Sequence, residues 1–327
     1  GGIAGAASGT ISGCSVKNCT IKQDETNGYK DPGSIDTYAE ILGRDLGATL
    51  TNNTFEDVTL IPEMECWING KGYKTLKAAV TAAVNGDVIK LKAKKYDIFE
   101  QFGIRPAFCQ NKTLTFEGQE GTIMDMGYGQ YEGTYEPMPL TQATNANLTF
   151  KNVNLINRTD KTLSKSWTAT EGCAMFAGAA KLAFYGCIFD GVFVNVNNPD
   201  LYFEDCTFNT TQNCKYVLWI HSKAVATVKG CTFYPGCEPG TSNTDGWVKV
   251  YTEGGDKPVT LNLQGCVFKG TSSQDTHNIK VDAGNVPDFK YAVNYDNCQF
   301  VLTQDNKFIQ VKTHKIYLNG EEFVGEK

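Results

Sequence analysis

Four short stretches carry the residues best suited to chemistry: Val217-Leu-Trp-Ile-His221, Trp247-Val-Lys-Val-Tyr251, Asn278-Ile-Lys-Val-Asp282 and Phe308-Ile-Gln-Val-Lys312. Each alternates apolar and polar positions, the signature of a strand with one buried face. With Ile220, Val250, Val281 and Val311 inward, side-by-side strands would stack the outward positions into two columns. The first is Trp219, Lys249, Lys280 and Gln310; the second is His221, Tyr251, Asp282 and Lys312, with Trp247 and Asn278 just before. Aromatic rings suit the C–H faces of sugars, and the polar groups suit hydroxyls or a uronate carboxylate. Two adjacent lysines depress each other's pKa, which favours proton acceptance against an acidic sugar. The candidate ligand-binding face is therefore Trp219, His221, Trp247, Lys249, Tyr251, Lys280 and Asp282. A plain structural reading stands beside it: Asp282 pairs with Lys249 or Lys280, and a tryptophan on a long strand often packs under a loop.

The elements that must position these columns announce themselves as a repeat, apolar-x-apolar-x-(Gly/Asp/Asn)-Cys-x-Phe. It reads Leu182-Ala-Phe-Tyr-Gly-Cys-Ile-Phe189, Leu201-Tyr-Phe-Glu-Asp-Cys-Thr-Phe208 and Ala226-Thr-Val-Lys-Gly-Cys-Thr-Phe233. It returns as Leu261-Asn-Leu-Gln-Gly-Cys-Val-Phe268 and Val293-Asn-Tyr-Asp-Asn-Cys-Gln-Phe300, with looser copies at Leu148–Leu155 and Leu114–Gly118. The cysteines at 187, 206, 231, 266 and 298 are 19, 25, 35 and 32 residues apart. A constant strand with variable connections is the pattern of a solenoid, here a parallel β-helix. Its outward columns run Glu117, Lys151, Tyr185, Glu204, Lys229, Gln264, Asp296 and Asn154, Ile188, Thr207, Thr232, Val267, Gln299. Opposite charges interleave in the first, as a solvated sheet face requires.

The repeat also decides how the 12 cysteines are read. Five share one slot and Cys14 fits it too, so their side chains stack in parallel about 4.8 Å apart. That suits a column of buried thiols better than the dihedral angle of a disulfide. Cys66, Cys109, Cys173, Cys214 and Cys237 lie off the pattern, and a bridge among them stays open. No Cys-x-x-Cys occurs and the three histidines lack zinc-finger spacing, so neither a metal site nor a cofactor is expected.

The net charge of −6, with three arginines (Arg44, Arg105, Arg158), argues against a nucleic-acid partner. No apolar run approaches the roughly 18 residues of a membrane span, so no membrane insertion by this segment is expected. The chain opens inside a motif, at Gly1-Gly-Ile-Ala-Gly5, as part of a longer protein would.

Two units are expected. In residues 1–62, Gly9-Thr-Ile-Ser-Gly-Cys-Ser-Val-Lys-Asn-Cys-Thr-Ile21 parallels Ala48-Thr-Leu-Thr-Asn-Asn-Thr-Phe-Glu-Asp-Val-Thr-Leu60, with a polar loop from Asn27 to Ser34 between them. These partial copies resemble the glycine-rich GLUG repeats of bacterial surface proteins. Residues 63–327 open with an Asn69-Gly70 hairpin turn. A helix follows, with Leu76, Ala79, Val80 and Ala83 on one stripe, Thr75 as N-cap and Gly86 as stop. The strand Val88–Leu91 comes next, and Lys315–Phe323 reads as a closing hairpin. The order from Tyr73 to Tyr96, with the repeats, resembles pectin-lyase-like right-handed β-helix proteins over about residues 64–327. The expected fold is all-β: a right-handed parallel β-helix with a short N-terminal capping helix and a small β-rich N-terminal unit.

That fold hosts lyases, hydrolases, tailspikes and adhesins, so activity must come from residues. Asn243-Thr-Asp-Gly246 resembles the first catalytic signature of polygalacturonase-type hydrolases. The paired Asp-Asp and the Gly-His-Gly of those enzymes are missing, and Asn278-Ile-Lys280 stands in place of Arg-Ile-Lys. One carboxylate cannot serve as both acid and base across a glycosidic bond. The expectation is a secreted or cell-surface bacterial protein, non-catalytic, acting as an adhesin or glycan-binding scaffold for host or dietary polysaccharide. The resemblance to surface proteins of gut bacteria points the same way. The alternative is a polysaccharide lyase or glycoside hydrolase on uronate-containing glycans. It would use Lys249, Lys280, Tyr251 or His221 as base and Asp245 or Asp282 as acid or ion ligand.

Overall fold

The computed structural model describes residues 7–22, 45–52, 54–61, 64–103, 107–128, 130–131, 134–135, 140–158, 173–191, 193–194, 198–209, 217–221, 223–234, 248–251, 259–269, 279–282, 291–301, 309–310, 316–318 and 321–323. The chain divides into two compact units, residues 1–65 with 72–74, and residues 66–71 with 75–327. In the first, Ala7–Ser12 pairs in parallel with Asp45–Thr51, and Ser15–Lys22 with Thr54–Ile61. Ile11 faces Leu50, Val16 faces Phe55 and Ile21 faces Leu60, so the two sequence copies lie rung on rung.

The second unit is a parallel β-solenoid. Its first sheet stacks Val88–Leu91, Thr113–Glu117, Asn147–Lys151, Lys181–Tyr185, Asp200–Glu204, Val225–Lys229, Val259–Gln264, Tyr291–Asp296 and Ile316–Leu318. The second stacks Lys95–Asp97, Ile123–Tyr128, Asn154–Arg158, Ile188–Asp190, Thr207–Asn209, Thr232–Phe233, Val267–Lys269 and Gln299–Val301. The third holds Leu140–Gln142, Cys173–Ala177, Phe193–Val194, Leu218–Ile220, Val248–Tyr251, Ile279–Asp282 and Ile309–Gln310. Both predicted outward columns appear in the register: Lys151 between Glu117 and Tyr185, Glu204 between Tyr185 and Lys229, Thr207 between Ile188 and Thr232.

Two features of the repeat explain this stacking. Its third residue and its terminal Phe point inward and build aromatic columns, with neighbouring rings nearly parallel. Phe116, Phe150, Phe184 and Phe203 succeed one another at 5.0, 5.2 and 5.1 Å. Phe189, Phe208, Phe233 and Phe268 follow at 4.8, 4.7 and 4.7 Å. The second feature is the corner between the first and second sheets. The residue before each corner Cys is left-handed: Gly186 (φ 59), Asp205 (φ 53), Gly230 (φ 62), Gly265 (φ 60) and Asn297 (φ 50). That conformation suits Gly, Asn and Asp and no bulky side chain, hence the composition of the slot.

The thiols turn inward at this corner. Cys187, Cys206, Cys231 and Cys266 are buried, and with Cys109 and Cys298 they are free thiols. Cys187, Cys206, Cys266 and Cys298 each donate an S–H to a carbonyl of the preceding coil, on Phe150, Phe184, Val228 and Leu263, at 3.3 to 3.5 Å. The column therefore satisfies backbone acceptors as well as filling space. Cys173 is described in its backbone only, and Cys214 and Cys237 lie outside the described residues.

At the N-terminal end, helix α1 (Leu76–Ala82) buries Leu76, Ala79 and Val80, and Ala83 just beyond it is also buried. Thr75 caps it by accepting from the Ala78 N–H at 3.1 Å. The helix ends at Ala83, ahead of the expected stop at Gly86, because Asp87 turns back to accept the Val84 N–H at 2.9 Å. The Lys112 ammonium then clasps the helix end, donating to the carbonyls of Val80, Thr81 and Ala83 at 2.6, 3.3 and 2.8 Å. A cation on exposed C-terminal carbonyls also complements the helix dipole. A second helix, α2 (Ile98–Phe102), is a finding the periodicity did not signal; Asp97 caps it through the Glu100 N–H at 2.9 Å. The Asn69-Gly70 turn (φ 50 and 83) and the antiparallel hairpin Ile316–Leu318 with Glu321–Phe323 form as expected.

Candidate functional site

The third sheet places the candidate residues in consecutive rungs. Trp219 faces Lys249 and Lys249 faces Lys280 across the register, which continues to Gln310. Tyr251 faces Asp282, two residues further along the same two strands. For Tyr251, Lys280 and Asp282 the structure describes strand positions only. Trp247, the Asn243–Gly246 motif with Asp245, and Lys312 lie outside the described residues.

Alternation explains the local arrangement. Leu218 and Ile220 are fully buried in the solenoid interior, which turns Trp219 to the opposite face of the strand. There Trp219 is still only 6% exposed, and Lys249 only 7%. The Lys249 ammonium rests 4.0 Å from the centre of the Trp219 ring. A cation on an indole face is worth up to about 2 kcal/mol when desolvated, which offsets part of the cost of burying this lysine. His221 is half-buried, its ring 6.3 Å from that of Trp219 and tilted by 36°. Trp219 thus serves as the wall that holds Lys249, rather than as a ring open to a sugar.

The first sheet has a different outer surface. Tyr185 and Tyr202 lie with ring centres 5.6 Å apart, both half-exposed. The Tyr202 hydroxyl donates to Glu204 at 2.8 Å, and Lys229 donates to the other oxygen of the same carboxylate at 2.7 Å. The Lys229 bond first, and the Tyr202 bond second, hold the Glu204 carboxyl below the usual glutamate range. This is the interleaved charge ladder read from sequence, serving as a solvated surface.

Two structural polar sites escaped the sequence reading. Asn198, fully buried, donates to the carbonyls of Phe176 at 2.8 Å and Ala179 at 3.3 Å, clamping a turn in which Phe176 is left-handed (φ 56). Asp125, 1% exposed, accepts from Lys95 at 2.7 Å. No periodic signal marks either residue, because the partners sit on other rungs.

Among the described residues, no group of three or more His, Cys, Asp or Glu is placed to hold a metal ion. Among them, too, no helix is long and apolar enough to cross a membrane. No protein family, curated protein or solved structure matches this chain.

Proposed function

We propose that this chain is a non-catalytic glycan-binding scaffold or adhesin of a secreted or cell-surface protein, and that its ligand is an acidic polysaccharide of host or dietary origin. The observation that supports this reading is the register of the third sheet. It puts the positions of Trp219, Lys249 and Lys280 on three successive rungs, with Tyr251 and Asp282 beside them. In this reading Lys280 meets uronate carboxylates, Tyr251, Asp282 and His221 meet hydroxyls, and Trp247 and Tyr251 supply the stacking rings. Trp219 holds Lys249 in place. The resemblance of residues 1–62 to GLUG repeats and of residues 64–327 to pectin-lyase-like β-helices agrees with display outside a bacterial cell.

Titration calorimetry with polygalacturonate, alginate and a neutral glucan tests the proposal. The acidic polymers are expected to bind, more weakly as salt rises, and Lys280→Ala or Trp247→Ala is expected to weaken binding at least about tenfold, the equivalent of 1.4 kcal/mol. Binding that ignores polymer charge, or survives both substitutions, would overturn it. The adjacent lysine positions also favour a second reading, β-elimination by a uronate lyase. Unsaturated uronate appearing in the same mixtures would establish that reading over the scaffold.

A further inference from the structure

The outer face of the first sheet brings two tyrosine rings together. Tyr185 and Tyr202 stand on adjacent rungs with ring centres 5.6 Å apart and planes inclined by 44°, both partly open to solvent. Ala183 lies across the register from Tyr202 and two residues before Tyr185. It points outward by alternation, yet it is only 3% exposed. A methyl group so placed is covered only if larger side chains lean across it, and these tyrosines are the aromatic groups beside it. The rings therefore lie along the sheet and turn their faces outward.

Polar groups around the rings are already fixed. The Tyr202 hydroxyl and the Lys229 ammonium donate to opposite oxygens of the Glu204 carboxylate at 2.8 and 2.7 Å. A carboxylate offers about four acceptor sites and an ammonium three donors, so both retain capacity for a ligand. The charges balance: in the column that holds Tyr185, Glu117 and Glu204 offset Lys151 and Lys229. Lys181 and Asp200, on the same two rungs as the rings, pair with each other at 3.5 Å. Beyond Tyr202 its own column is uncharged, running through Thr227, Asn262 and Asn294, with the Asn294 amide donating to Asn262 at 2.8 Å.

We propose that Tyr185 and Tyr202 form a stacking platform for a neutral β-linked glycan, with Glu204, Lys229 and the Tyr202 hydroxyl bonding the hydroxyls of the sugar seated on it. Three properties select this occupant. Pyranose rings with equatorial hydroxyls present flat C–H faces, which suit aromatic rings. A hydroxyl both donates and accepts, which matches a fixed carboxylate beside an ammonium. A patch without net charge gives an anionic polymer no attraction to offset repulsion from Glu204. The uncharged column continues the track along the solenoid axis, on rungs about 4.8 Å apart. Because Glu204 and Tyr202 are bonded before a sugar arrives, little ordering is left for binding to impose. This platform lies on a different sheet from Lys280 and does not rest on the reading given to that residue.

NMR of protein carrying isotope-labelled tyrosine, titrated with cellohexaose and with trigalacturonate as the charged control, tests this. Tyr185→Phe and Tyr202→Phe each remove one signal and so assign the two rings. Cellohexaose is expected to shift both signals, and trigalacturonate to leave them in place. Tyr185→Ala and Tyr202→Ala are each expected to weaken cellohexaose binding about fivefold or more, whereas Tyr185→Phe, which keeps the ring, holds it. Lys280→Ala should leave cellohexaose binding unchanged, and Tyr202→Ala should leave the polygalacturonate titration unchanged, so the two sites fail separately. The proposal is overturned if cellohexaose moves neither wild-type signal, a result that needs no variant to fold. It is overturned equally if trigalacturonate moves them as strongly, or if the folded alanine variants bind cellohexaose as the parent does.

Discussion

Replacing Phe208 with alanine probes the stacking on which every functional position depends. Its ring is fully buried, lies on Phe189 at 4.8 Å and 8°, lies on Phe233 at 4.7 Å and 6°, and meets Phe203 edge-on at 5.3 Å. Truncating a core phenylalanine costs about 3–5 kcal/mol through lost transfer energy and the cavity left behind. Favourable ring pairs add about 0.5–1.5 kcal/mol each beyond area, and three are lost together, so the upper end of that range is expected. Phe208→Leu keeps an apolar filler and loses only ring geometry, and should cost about 1–2 kcal/mol. Ile188→Ala, at a position 41% exposed on a neighbouring rung, should stay within about 0.5 kcal/mol. Urea unfolding followed by fluorescence and circular dichroism gives the three differences. Hydrogen exchange adds the location: because a solenoid coil touches only its neighbours, protection should fall first in Ile188–Asp190, Thr207–Asn209 and Thr232–Phe233. If Phe208→Ala costs less than about 2 kcal/mol, or no more than Phe208→Leu, the aromatic column does not hold the rungs in register.

Two further substitutions test the corner and the charge ladder. Gly230 and Gly265 are both left-handed, but a Cβ on Gly230 would meet Asp205 Oδ1 at 2.5 Å while one on Gly265 meets nothing within 4 Å. Gly265→Ala should cost about 1–2 kcal/mol for its backbone alone, and Gly230→Ala measurably more; equal losses in thermal melts would refute the close packing of the Gly230 corner on Asp205. Glu204 has a depressed folded pKa, so its contribution is present above the unfolded glutamate value of about 4.3 and is lost as pH falls through the folded value. The melting temperature of Glu204→Gln should therefore decline less steeply on the acid side than that of the parent, and parallel acid limbs would contradict the Lys229 and Tyr202 bonds.

Much of this molecule is legible in one dimension because solenoid geometry is local. Alternation assigns Leu182 and Phe184 inward and Tyr185 outward without reference to any distant residue, and the repeat then says which rung lies beside which. The corner composition follows from a single left-handed residue, the helix start from one threonine, and the free thiol column from the shared slot of Cys187, Cys206, Cys231, Cys266 and Cys298. The order of Trp219, Lys249 and Lys280 along one column was available for the same reason.

What covers those columns was not. Whether Trp219 presents a ring or backs Lys249 depends on how the two side chains meet across neighbouring rungs, and alternation fixes only the face of the strand they stand on. The grip of Lys112 on three carbonyls about 30 residues earlier in the chain, and the clamp of Asn198 on the turn at Phe176, likewise join rungs through side chains that no pattern marks. The same limit applies to the cysteines, which are indistinguishable in sequence until tertiary structure buries four and leaves Cys298 at the margin. Residue type and spacing settled which groups are neighbours; only the packed chain settled which of them meet water, because exposure depends on everything laid over a site and not on its own strand.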